Sequence, residues 1–160
     1  MPTTDRRVRD AAAADLDAAT IYRIMALRSD VFVLEQQCIY LDLDGRDLEP
    51  AVRHVWVEAA DGEVLATLRV LPEPDGTVRI GRVATAASAR GQGLAARMLE
   101  RGIELCGDRP VVLAAQSHLT RWYEGLGFVR AGDDFVEDGI DHTPMRLSRN
   151  PTPGGASATT

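Results

Sequence analysis

Thr77-Val78-Arg79-Ile80-Gly81-Arg82-Val83-Ala84-Thr85-Ala86-Ala87-Ser88-Ala89-Arg90-Gly91-Gln92-Gly93-Leu94-Ala95-Ala96-Arg97-Met98-Leu99 reads as a strand, a glycine-rich loop and a helix. Val78, Ile80 and Val83 give the strand its β-branched character. Arg90-Gly91-Gln92-Gly93 is the loop. From Leu94 the apolar residues recur at helical spacing: Leu94 and Met98, then Ala95, Leu99 and Ile103. The first N–H groups of a helix have no partner within it and lie at the positive end of its dipole. Glycines let that backbone approach a ligand closely and adopt φ > 0. With Arg90 as an adjacent cation, the segment predicts a pyrophosphate cradle.

Gly91-x-Gly93-x-x-Ala96 superficially fits a dinucleotide-binding fingerprint. That pattern needs its first glycine at the tight end of a strand and an acid about 20 residues on. Ala87-Ser88-Ala89-Arg90 separates strand from glycines here, and Pro110 to Val112 supplies no acid.

Working backwards, three strands are joined by short turns: His54–Ala59, the apolar alternation Val64, Ala66, Leu68, Val70, and the strand at 77. Asp61-Gly62 is the first turn, and the whole predicts an antiparallel meander. Before it, Glu35 to Pro50 is acidic and irregular. Its aspartates miss the calcium-loop register, because Gly45 follows the second Asp and no Glu stands six residues later. Ile21, Ile24, Met25, Val31 and Phe32 mark an amphipathic helix capped by Asp15 or Asp17 and expected to break near Ser29-Asp30. Arg28 and Glu35 continue its stripe. Arg7-Val8-Arg9 is a candidate edge strand.

Working forwards, the helix over 93–106 presents Arg97, Glu100, Arg101 and Glu104 outward as i,i+3 pairs. Val111–Ala115 is an apolar run, expected to be a strand covered on both faces and parallel to the strand at 77. Leu119–Leu126 is a short helix stopped by Gly127. Phe128–Arg130, Phe135-Val136 and Met145–Leu147 are strand candidates. Residues 1–149 form one domain, and 150–160 are expected to be a disordered tail.

The 160 residues carry a net charge of −6, which argues against nucleic acid as the main partner. Cys38 and Cys106 form neither a metal-ligand spacing nor a disulfide framework, so no metal is expected. No apolar run approaches membrane-spanning length, and no signal-peptide segment opens the chain, so a cytoplasmic location is expected.

Arg90, Gly93 and Ala95 match Arg/Gln-x-x-Gly-x-Gly/Ala, and Tyr123, Gly127 and Phe128 match Tyr-x-x-x-Gly-Phe. These motifs resemble those of the GNAT N-acetyltransferases. Leu27-Arg28, Val31-Phe32-Val33, Glu35-Gln36, Asp44-Gly45, His54, Ile80-Gly81-Arg82-Val83 and Glu137-Asp138-Gly139-Ile140 resemble the ElaA-type branch, so that the likeness spans nearly all of 16–147. The resemblance implies an α+β GNAT fold: a mixed central sheet splayed between the fourth and fifth strands and flanked by helices. It implies acetyl-CoA as cosubstrate and a primary amine on a small molecule or peptide as acceptor. Neither nucleic acid nor membrane is a partner, and a homodimer is left open.

The same resemblance puts pantetheine against Val83, Ala84 and Thr85, with Gln116 helping to hold it. Pyrophosphate falls on Arg90, Gly91, Gln92, Gly93, Leu94 and Ala95. Tyr123 is the implied proton donor to the leaving thiolate. Many family members place a Glu on the strand before the loop, and this strand has none. Glu35, His54, His118, Glu137, His142 and a water chain all remain candidates for the base. The acidic stretch, with Glu35, Asp42, Asp44 and Asp47, and Glu137-Asp138 are expected to border one cleft that attracts a cationic amine. The rival function is a non-catalytic acyl-CoA-binding module on the same fold.

Overall fold

The computed structural model describes residues 6–148. One sheet runs through it, in the order β1 (Arg7–Ala12), β2 (Arg53–Glu58), β3 (Val64–Pro72), β4 (Val78–Thr85), β5 (Val111–Gln116), β8 (Ile140–Leu147) and β6 (Val129–Arg130), with β7 (Phe135–Glu137) also on β8. The first four strands are antiparallel neighbours, and β4–β5 is parallel. The edge strand is therefore present and twice the length suggested by Arg7-Val8-Arg9.

Helix α1 (Ala18–Arg28) covers one face of the sheet and α2 (Leu94–Leu105) the other. Asp17 caps α1 by accepting from the Thr20 N–H at 2.7 Å. Met98 and Leu99 of α2 pack with Leu68, Val70, Ile80 and Val111; Ile24 and Leu27 of α1 pack with Phe32, Trp56 and Ala84. Strand β3 is buried on both faces, so the alternation in its sequence is only half of its pattern.

Three expectations need correction. The chain does not break at Ser29-Asp30 but widens into a π-helical segment, Ser29–Glu35. There the Gln36 N–H reaches back to the Val31 carbonyl at 3.0 Å. Strand β5 is not covered on both faces, because Ala114 is exposed while Leu113 and Ala115 are buried. On α2, Arg101 pairs with Glu104 at 2.9 Å, but Arg97 donates to the Arg6 carbonyl rather than pairing with Glu100. The expected tail from residue 150 lies outside the described residues.

Helix α3 (Thr120–Glu124) leads into the Gly127-Phe128 closure. The Tyr123 carbonyl accepts from Leu126 at 3.0 Å and Phe128 at 3.2 Å, while Gly127 turns the chain at φ 100°. A Cβ at Gly127 would lie 3.1 Å from Leu147 and in a left-handed conformation, so glycine is the residue that fits.

Candidate active site

Strands β4 and β5 pair only at Val78–Val111 and Arg79–Val112, and then diverge. A cavity of about 1040 Å³ opens between them. Val83, Ala84 and Thr85 form its β4 wall, and Ala114 and Gln116 its β5 wall. Gln116 donates through Nε2 to Gln36 Oε1 at 3.2 Å, linking β5 to the π-helical segment across the opening.

The N-terminus of α2 faces the same space. Arg90, Gly91, Gly93, Leu94 and Ala95 line it, whereas Gln92 does not and leans on the Ser88 carbonyl at 3.5 Å. Gly93 is the N-cap at φ 74°, with no side chain capping the helix. The first N–H groups are therefore left for a ligand. A Cβ on Gly91 or Gly93 would meet no protein atom within 4 Å, so the space in front of this backbone is open. These features fit a phosphate-bearing group.

Tyr123 lines the cavity from α3 and is 6% exposed. Its ring packs edge-on to Phe128 with centroids 5.9 Å apart. Burial pushes its hydroxyl up to about 12, so it stays protonated throughout the working range. Glu35 lies across the mouth and binds Arg90 through two contacts, Nη1–Oε1 at 2.5 Å and Nη2–Oε2 at 2.6 Å. The hydrogen bond from Arg90 holds its carboxyl below the usual range. Arg90 also donates to the Thr85 carbonyl at 3.2 Å.

The base candidates separate. His118, His142 and Glu137 line the cavity. His142 is stacked on Phe135 and faces the Ile140 carbonyl through Nδ1 at 2.8 Å. His54 is instead buried on β2 beneath the acidic loop, with Nε2 3.0 Å from the Asp47 carbonyl; burial drives its pKa down. His54 does not line the cavity.

Of the acidic stretch, Glu35 lines the cavity, but the aspartates need correction. Asp42, Asp44 and Asp47 do not border the cleft as free anions. Asp42 binds Arg28 at 3.0 Å and Arg82 at 2.8 Å, Asp44 binds Arg69 at 2.7 Å, and Asp47 binds Arg28 at 2.7 Å. Arg79, another cation on the wall, lies 3.4 Å from Glu73. Glu137 and Asp138, at the tip of the β7–β8 hairpin, line the cavity and make no ion pair among the described residues. Burial first, and then the charge of Asp138, raises the Cys38 thiol.

Sequence reading missed Gln36, Tyr40 and Trp122 as lining residues. It also missed a bulge at Arg82, for which the only local signal is a glycine inside a strand, at Gly81.

Residues 44–149 match the family described as "Acetyltransferase (GNAT) domain". The Mycobacterium tuberculosis UPF0039 protein Rv2851c is 49% identical over 136 residues, covering 83% of this chain and 87% of that protein. Escherichia coli ElaA is 36% identical over 143 residues, covering 86% and 93%. The crystal structure of an acyl-CoA N-acyltransferase from Pseudomonas aeruginosa superposes with a TM-score of 0.85 at 39% identity, over 90% of this chain and all of the other. An α2 N-terminus opening into a splayed mixed sheet, a buried tyrosine in the gap and these likenesses agree: the chain belongs to the GNAT acyltransferase family, in the company of ElaA and the UPF0039 proteins.

Proposed function

We propose that the protein transfers an acetyl group from acetyl-CoA to a primary amine on a cationic small molecule or peptide. One observation carries the reading: the buried Tyr123 and the uncapped α2 N-terminus line a single cavity where β4 and β5 part. Family membership supports acyl-CoA-dependent acyl transfer in general. The acetyl group and the amine acceptor are our own reading.

In this reading the N–H groups from Gly91 to Ala95, with Arg90, hold the pyrophosphate. Backbone groups at Val83, Ala84 and Thr85 and the Gln116 amide hold the pantetheine arm. A peptide N–H near Val83 steadies the oxyanion as the amine nitrogen bonds to the thioester carbon. The C–S bond then breaks, leaving an amide and a thiol. Tyr123 donates a hydrogen bond to the departing sulfur. A thiol ionises near 8.5, well below the hydroxyl's value of about 12, so complete proton transfer would be uphill by roughly three to four pH units. Tyr123 therefore stabilises the thiolate as a donor, and the amine's proton supplies the thiol.

A Lys-like amine is mostly protonated at neutral pH and must lose a proton first. Glu35, held by Arg90, is a weak base while that pair persists. His118, His142, Glu137 and water remain alternatives. Glu137 and Asp138 give the acceptor side an uncompensated negative charge, which favours a cationic amine.

The test is acetyl-CoA turnover against a panel of cationic, neutral and anionic primary amines. Turnover confined to cationic members supports the reading. Tight coenzyme A binding with no turnover supports the non-catalytic module instead.

A further inference from the structure

Strand β4 carries one residue more than β3 opposite it. Thr67 pairs with Ala84 but Arg69 with Gly81, so Arg82 and Val83 together face Leu68. The extra residue reverses the strand's alternation. Ile80 and Val83 pack on the α2 side, whereas Ala84 packs under α1; without the bulge Ile80 and Ala84 would share a face. Val83 and Ala84 acquire their orientation along the cavity wall from this reversal.

The left-handed residue of the bulge is Arg82, at φ 52°, not the glycine beside it. A non-glycine residue persists there only where its surroundings over-determine it. They do so here. Arg82 Nε lies 2.8 Å from Asp42 Oδ1, and its Nη2 donates to the Asp42 carbonyl at 3.2 Å. Nη2 is also 3.5 Å from Asp44 Oδ2, and the guanidinium sits 5.1 Å from the centre of the Tyr40 ring. The gripping loop is itself fixed. Arg28, 1% exposed, binds Asp42 and Asp47 from α1; Arg69 binds Asp44 and Asp47 from β3. Three arginines balance three aspartates, so the loop has no net charge to offer a ligand.

We propose that Arg82 is a positioning residue for acyl transfer: the Asp42–Asp47 loop grips its guanidinium, holds its backbone left-handed, and so aims the Val83 and Ala84 peptide groups at the thioester. This rests on the acyl-transfer reading, and the experiment separates the two.

Arg82→Gly keeps the backbone conformation accessible, because glycine adopts φ > 0 freely, but removes the grip. In this variant kcat should fall by about tenfold or more, as expected for a misplaced reacting group. Coenzyme A affinity by calorimetry should fall by less than kcat does, because only the pantetheine contacts at Val83 and Ala84 are disturbed and the phosphate cradle at Gly91 to Ala95 is untouched. Arg82→Lys, which keeps the charge but not the fork, should recover part of kcat. Asp42→Asn, which keeps Arg82 and weakens the grip, should show the same kcat loss in smaller degree. A kcat within about twofold of wild type in folded Arg82→Gly overturns the proposal. If that variant does not fold, unchanged kcat in Asp42→Asn overturns it instead. If the wild type turns over no amine, the acyl-transfer reading fails, and amide resonances on adding coenzyme A decide the positioning. Val83 and Ala84 should shift in the wild type and not in Arg82→Gly, while Gly91 and Gly93 shift in both. Equal Val83 and Ala84 shifts in the two proteins would end it.

Discussion

Glu35 and Arg90 face each other across the cavity mouth as a two-point ion pair, 2.5 and 2.6 Å, each side chain 44% exposed. The π-helical segment delivers the carboxylate and the loop before α2 delivers the guanidinium. The cation assigned to the incoming phosphates is thus already engaged, and an anionic ligand must compete with Glu35 for it. Glu35→Gln should therefore tighten coenzyme A binding, by about two- to fivefold at low ionic strength, with the gain shrinking as salt rises. Titration calorimetry at two salt concentrations checks this. Weaker or unchanged binding would show that Arg90 does not meet the phosphates. Turnover in the same variant reads the other role: a kcat loss of about 10²-fold or more marks Glu35 as the base.

Gly93 caps α2 in the left-handed region, with nothing of the protein near the direction of a Cβ. Gly93→Val should strain the backbone by about 1–2 kcal/mol and lower the melting temperature by only a few degrees. The valine would fill the space assigned to the pyrophosphate, so coenzyme A affinity should drop by about tenfold or more. A folded variant with wild-type affinity would remove the loop from the binding site.

The strand–loop–helix at 77–99 was legible because its determinants are local: β-branched residues, two glycines and a helical apolar stripe. The Tyr123–Phe128 closure was legible for the same reason, since Gly127 has to turn within it. What was not legible depends on distant partners. The aspartates of the acidic loop looked free because Arg28, Arg69 and Arg82 lie 14, 25 and 40 residues from the groups they bind. Ala114 looked buried because an alanine facing a ligand cavity has the same composition as one facing a core. The bulge hid because the positive φ falls on Arg82, while Gly81 beside it has the sequence that suggests one. The π-helical segment carries no punctuation; its turn is closed by Gln36 and Cys38 reaching back to Val31 and Phe32.

The same buried network sets an acid limit. Burial drives the His54 pKa down, so the folded protein keeps it neutral while the unfolded chain takes up a proton below about 6.5. Asp44 is held low by its Arg69 hydrogen bond. Burial alone would raise Asp47, but Arg28 and Arg69 together outweigh it and hold its carboxyl low. Each of these folded values lies below the unfolded one, so each contribution is complete above the unfolded pKa and is lost as pH falls. Stability should be flat above about pH 7, decline gently below about 6.5 as His54 contributes, and fall steeply below about 4 as the aspartates do. Melting curves from pH 8 to 3 check the two steps, and His54→Gln should remove the first alone. A first step that survives in that variant assigns it elsewhere.

Tyr123 gives the sharpest test of the chemistry. Its ring is fixed by Phe128 and the surrounding core, so Tyr123→Phe keeps the packing and deletes only the hydroxyl. As a hydrogen-bond donor to the departing sulfur, that hydroxyl should be worth about 10²–10³-fold in kcat, with coenzyme A affinity and melting temperature nearly unchanged. Its pH behaviour adds a second constraint. An ordinary phenol would lose its proton near 10, but burial raises this one to about 12, so its protonated form persists as pH rises through 10. The alkaline limb of kcat should therefore show no loss from Tyr123 below about pH 11. Rate measurements on wild type and variant from pH 6 to 10.5, with chemistry shown to be rate-limiting, should give a constant ratio at the alkaline end. A ratio that collapses towards one near pH 10 would mean that the hydroxyl ionises normally. A ratio near one at every pH would return Tyr123 to the core as a packing residue.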